Sequence, residues 1–165
     1  MTWKQTTKSL DRFYSCLPYI IPMSAVVIYG GILFEQFPLL VLPFTPLIWF
    51  YLNVMTFPVV PVLRLTLELF IFLGLYFFVV RDNNISYFIR FNAAQALLLN
   101  IIIILVSIVV RLIDQISFLS FARDILLNAT FIGINAACIY SIFRCVRGEY
   151  AEIPVISEAA KYQVR

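Results

Sequence analysis

The chain has 165 residues, of which 62% are hydrophobic and only 13% charged, with a net charge of +3 and a mean hydropathy of +0.95. A soluble domain is about 45–50% apolar and about 25% charged, so this composition belongs to a membrane protein and excludes a soluble module of any size. There is no histidine, and Cys16, Cys138 and Cys145 form no CxxC pair, which argues against zinc, haem and iron–sulfur cofactors. No basic patch interleaved with aromatics speaks for nucleic acid.

The N-terminal MTWKQTTKSLDR carries neither a long Ser/Arg-rich presequence nor an apolar stretch ending in small residues. From Arg12 to Arg64 the only charge is Glu35. Residues 17–34 are predicted as the first span, long enough to cross the hydrocarbon, with Pro18 in its first turn. The segment 37–60 is apolar and aromatic but broken by prolines, which an uninterrupted helix does not accommodate. It is expected to form short interfacial or re-entrant pieces, with a fifth span as the alternative.

The second span is predicted at 62–80, closed by Arg81-Asp82-Asn83-Asn84. Within it Arg64 and Glu68 stand four residues apart on one helix face, a spacing that suits an ion pair. The third span is expected at 89–112 and the fourth at 125–143, leaving residues 1–16 and 144–165 as tails. The fold class is therefore all-α: a polytopic bundle of four transmembrane helices, with a Pro-rich interfacial segment between the first two. Nine of the twelve Lys and Arg fall on the side of the two termini and of the loop between spans two and three. The positive-inside rule places both termini on the side of synthesis.

Two stripes stand out. On the third helix, Asn92, Ala96, Asn100 and Ser107 share an arc of about 80°, with Gln95 about 60° to the other side and Arg90 at its mouth. Such a stripe either packs against other helices through hydrogen bonds or lines a hydrated path. The fourth helix has Ala129, Gly133, Ala137 and Ser141 at strict four-residue spacing, a ribbon that lets another helix approach closely. No GxSxG, P-loop or carboxylate cluster within the spans points to an enzyme.

Three stretches carry a resemblance. They are CLPYIIP at Cys16–Pro22, SYFIRFNAAQALLLNI at Ser86–Ile101 and RGEYAEIPVISEAAKYQV at Arg147–Val164. In this order they resemble the twenty-kilodalton subunit of the translocon at the inner envelope of chloroplasts and its algal and cyanobacterial relatives. The resemblance implies a four-helix inner-envelope protein taking part in preprotein import and contributing to a conducting path. Its partners would be other translocon subunits, translocating preproteins and the lipid bilayer. It implies no cofactor and no catalytic residue, and both termini would lie in the stroma. Plant members carry a transit peptide, so the N-terminus here points to a plastid-encoded algal or a cyanobacterial type, the latter in the plasma membrane. A small-solute transporter or channel and a scaffold subunit without a pore are the competing functions.

Overall fold

The computed structural model describes residues 9–63 and 65–164. Six helical runs and one small hairpin follow in order: α1 Ser9–Gln36, α2 Pro38–Met55, strands β1 Pro58–Val60 and β2 Leu65–Thr66, α3 Leu67–Val80, α4 Tyr87–Ile113, α5 Ser120–Val146 and α6 Ile156–Gln163. Among the described residues, α1, α2, α4 and α5 are long and apolar enough to cross a membrane, making this an all-α polytopic membrane protein. At 14 residues α3 spans about 21 Å, short of the roughly 30 Å hydrocarbon core.

The prolines of α1 are absorbed by tightening. Leu17–Tyr19, which holds Pro18, and Val27–Gly30 wind as 3-10 turns, and the local tightening carries the chain past a proline interior to the run. The run therefore extends without a break from Ser9, well into the segment expected to be a tail.

The Pro-rich segment differs from expectation. It forms one helix over Pro38–Met55 in place of short interfacial pieces, and the physical reason lies in where its prolines stand. Pro38 lies in the opening turn and Pro43 in the first turn of the α-helical part Val41–Phe50, where a missing N–H is tolerated, which leaves Pro46 as the one interior proline. Short polar side chains one turn along bond back to carbonyls of the same helix. Thr45 Oγ1 donates to Val41 O at 3.1 Å, Asn53 Nδ2 to Trp49 O at 2.9 Å, and Thr56 Oγ1 to Leu52 O at 2.7 Å. A 3-10 turn at Pro38–Leu40 opens the helix and a π turn at Tyr51–Met55 closes it.

The predicted second span also changes. Residues Pro58–Val60 pair antiparallel with Leu65–Thr66, so helix begins only at Leu67 and not at 62. A 3-10 turn at Pro61–Leu63 leads from the first strand towards the second. Arg64, half of the expected ion pair with Glu68, lies outside the described residues.

Contacts fix how the helices run. Tyr19 meets Asn92, and Tyr29 donates to Ile103 O, so α1 and α4 are parallel. Cys145 meets Asn92 and Arg123 meets Asp114, so α5 returns antiparallel. On the flank, Phe44 of α2 packs on Phe34 and Phe131 at ring distances of 5.8 and 5.2 Å. Tyr51 reaches only as far as Val27 and Ile28, with which it lines an open apolar cleft of about 200 Å³. From there Glu68 of α3 meets Asn100 halfway along α4, and Val80 meets Arg90 near its start. Helices α2 and α3 thus flank α4 and α1 end to end, each along part of their length, with the β-hairpin between them at mid-depth.

The core has two parts. One gathers Tyr19, Val26, Tyr29, Phe88, Leu99, Phe131 and Cys138 between α1, α4 and α5. The other gathers Val80, Phe91, Ala94, Leu97, Ala160 and Val164 between α3, α4 and α6. The expected C-terminal tail is therefore partly a helix, folded against α4.

Candidate functional site: a polar seam along α4

The N-terminal half of α4 is enclosed on every side, and Phe91 to Leu97 are all buried. Four polar residues lie inside this half: Arg90, Asn92, Gln95 and Asn100. Each polar group withdrawn from solvent needs a partner, because an unpaired one costs about 1–3 kcal/mol.

Asn92 and Gln95 share Tyr19, whose hydroxyl lies 3.0 Å from Asn92 Oδ1 and 3.2 Å from Gln95 Oε1. Asn92 Nδ2 donates back to Phe88 O at 2.8 Å, and its Oδ1 also accepts the Cys145 thiol at 3.1 Å. Gln95 Nε2 turns the other way, to Ala151 O at 3.4 Å and Ser157 Oγ at 3.3 Å. Ser141 of α5 stands beside the Tyr19 phenol. One hydrogen-bonded seam therefore joins α1, α4, α5 and the segment leading into α6.

Arg90 lies at the mouth of this seam. Its Nε donates to Val80 O and one terminal nitrogen to Val164 O, both at 3.0 Å. Both partners are backbone carbonyls, so the side chain ties the end of α3 and the end of α6 to α4. These two bonds set the guanidinium charge among carbonyl dipoles in a buried site, where a charge needs such partners.

Farther along, Asn100 Nδ2 donates to Glu68 Oε1 at 3.4 Å, while Asn100 Oδ1 finds no partner among the described residues. Ser107 is half-buried; its hydroxyl donates to Ile104 O of its own helix and stands beside the Tyr29 phenol of α1. The expected stripe is thus buried from Arg90 to Asn100, and beyond it Ser107 meets α1 from a more open position.

The ribbon on α5 is divided too. Ser141 is buried and Ala137 partly so, but Ala129 and Gly133 face outward. A Cβ placed on Gly133 would meet nothing within 4 Å, whereas one on Gly30 of α1 would fall 2.7 Å from Phe34 and 2.9 Å from Phe131. The close helix approach inside this chain is therefore at Gly30. The α5 face that packs inward carries Phe131, Ile134, Cys138 and Cys145 instead.

At the exit of α5, Glu149 pairs with Arg144 at 2.6 Å and Arg147 at 3.8 Å. Tyr150 then inserts its ring edge-on among Tyr87, Phe88 and Phe91, at centroid distances of 6.1, 5.2 and 5.3 Å. Burial pushes its phenol above the ordinary tyrosine value, with the neighbouring Tyr87 adding to the effect. Among the described residues, no group of three or more His, Cys, Asp or Glu could hold a metal ion.

Tyr19, Cys145, Ala151 and Ser157 were not predicted as members of the site. No helical period links them to Asn92, and only the CLPY and Arg147–Val164 stretches hinted at them.

Comparison with known proteins adds identity to this geometry. The family model described as "Chloroplast import apparatus Tic20-like" matches residues 4–160. A Tic20 family protein of Synechocystis sp. is 41% identical over 169 residues, covering 100% of this chain and 99% of the relative. The Tic20 family protein Ycf60 of Pyropia yezoensis is 28% identical, covering 96% of this chain and 77% of its own. Protein TIC 20-II, chloroplastic, of Arabidopsis thaliana is 27% identical, with coverage of 96% and 74%.

Proposed function

The chain belongs to the Tic20-like family of the chloroplast import apparatus, and from that premise we propose that it is a membrane subunit of a protein-conducting translocon, contributing wall to the path of a preprotein. The observation that carries the reading is the seam itself. In a bundle otherwise filled with apolar side chains, Asn92, Gln95 and Asn100 project from one helix towards partners on four other elements. A passing polypeptide presents both amide and hydrocarbon, and a wall of amides and small apolar groups accepts both without selecting a sequence.

In the proposed arrangement both termini lie on the side of synthesis, the stroma of a plastid or the cytosol of a cyanobacterium. The membrane is crossed by α1, by α2 and α3 together as one broken span, by α4 and by α5. Splitting the second crossing keeps the number even and agrees with the distribution of Lys and Arg. Discontinuous spans of this kind accompany sites near the bilayer midplane in transporters. Here the break falls beside Glu68 and Asn100.

Photocrosslinking residues at positions 92, 95 and 100 test the path during arrested import. Labelling by the precursor supports the wall. A second reading, a scaffold without a pore, is favoured by the outward-facing Ala129 and Gly133, which leave room for a neighbouring helix. Labelling by neighbouring subunits alone would decide for it. Flux of small solutes through reconstituted vesicles, without precursor contact, would decide for a solute channel. Accessibility of Gln163 from the side opposite Arg81 would overturn the four-crossing arrangement.

A further inference from the structure

We propose that the groove over the N-terminal half of α4 is a binding site for a polypeptide segment, filled at rest by the chain's own residues 149–164. The proposal rests on the translocon reading and names what the seam would hold.

The resident segment shows what the groove recognises. Before α6 it has no regular structure, and it meets the seam through its backbone: Ala151 O accepts from Gln95, and Val164 O from Arg90. Beside the Tyr150 ring, which is set among Tyr87, Phe88 and Phe91, the side chains that enter are small, since Ala151 and Ala160 are fully buried while Glu152, Glu158 and Lys161 point outward. An aromatic ring, backbone carbonyls and small side chains are features that another polypeptide segment can offer, so the contacts are chemically replaceable. Both Gln95 contacts are also long, at 3.4 and 3.3 Å, and near the limit at which a hydrogen bond holds.

The segment is also held under strain. Val155 has φ +67° and ψ −51°, and Ile156 N–H donates to Pro154 O at 2.7 Å. This is the rare γ-turn of positive φ, centred on a β-branched residue that is unfavourable there. Val155 is 78% exposed, so no packing of its side chain explains the choice. Ser157 closes the turn: its hydroxyl accepts from Ile153 N–H at 2.6 Å and donates to Ala151 O at 3.1 Å. Strain at Val155 works against closure and Ser157 works for it, which leaves the segment poised to leave the groove.

The two residues give variants of opposite sign. The full-length chain is reconstituted in liposomes with a photocrosslinking residue at Leu98, half-buried at the edge of the α6 contact. The probe is a synthetic peptide of the sequence of residues 149–164 in excess. Ser157→Ala is expected to raise peptide adducts about fivefold. Val155→Gly, which relaxes the turn, is expected to lower them about fivefold, the ratio that about 1 kcal/mol of closure corresponds to. A peptide carrying Ala151→Leu should compete poorly, because the groove has no room at that point.

Equal labelling in all variants, or no peptide adduct in any, would overturn the proposal. So would chain-to-chain adducts in place of peptide adducts, which would make a second copy the occupant. Peptide binding needs no other subunit, so the two readings fail separately. If the peptide enters the groove but an arrested precursor never labels position 98, the site stands and the path reading falls.

Discussion

The two halves of α4 are made from similar apolar residues and live in opposite surroundings. From Phe88 to Asn100 nearly every side chain is buried, and its polar groups reach α1, α3, α5 and the segment before α6. From Ile104 to Leu112 most are exposed, and of the two polar residues Arg111 is exposed and Ser107 bonds its own backbone beside the Tyr29 phenol. The first half is a place where helices are stitched together; the second is a surface offered to lipid or to another chain. The buried half is the less hydrophobic of the two, with Arg90, Asn92, Gln95 and Asn100 among its residues, so the polar residues are what mark the difference.

The largest effect should come from breaking the stitched half at its mouth. Arg90→Met leaves the carbonyls of Val80 and Val164 buried without a donor, and should cost about 3 kcal/mol. Thermal unfolding in detergent would report the loss, and protease cleavage beyond Gly148 should accelerate in parallel. Next is Gly30→Ala, which drives a methyl group into the Phe34 and Phe131 rings. It should destabilise by about 1–3 kcal/mol in the same assay.

Tyr19→Phe removes one hydroxyl from between two amides and should cost about 1–1.5 kcal/mol, read as a lowered melting temperature. Gly133→Ala sharpens the contrast from the open side. With empty space around the added methyl, the melting temperature of the isolated chain should barely move, by an equivalent of under about 0.5 kcal/mol.

The smallest effect is one of pH. Burial raises the Tyr150 phenol in the folded chain, so the folded state holds that proton more tightly than the unfolded state does. The contribution is fully present below the unfolded value of about 10 and is lost only as pH rises through the higher folded value. Protease resistance of the segment 149–164 should therefore be flat from neutral to mildly alkaline pH and fall in strong alkali. A Tyr150→Phe chain should lack that fall.

Much of the frame was legible. Helices α4 and α5 declare themselves as long apolar runs between polar breaks, Asp82 to Asn84 on one side and Arg111 to Asp124 between them. Helix α2 was not legible, because its three prolines read as breaks, whereas Pro38 and Pro43 stand in opening turns that tolerate them. Helix α6 was hidden for the opposite reason. It is short, polar and preceded by a strained turn, and the groove on α4 supplies the order that its own eight residues lack. The stripe on α4 was visible from its spacing, but spacing names one side of each contact only. That Asn92 should face Tyr19 and Cys145, 73 and 53 residues away in the chain, is written in packing.

The break between α2 and α3 has a bearing on biogenesis. A 14-residue helix that starts with a half-buried glutamate is too short to partition stably into lipid by itself. The amide that receives Glu68 belongs to Asn100, 32 residues later, and the arginine that anchors Val80 belongs to α4 as well. Both lie later in the chain than α3, so α3 emerges from the ribosome before either. In the proposed four-crossing arrangement, the second crossing is then completed out of order, once α4 has supplied the wall against which α3 can settle.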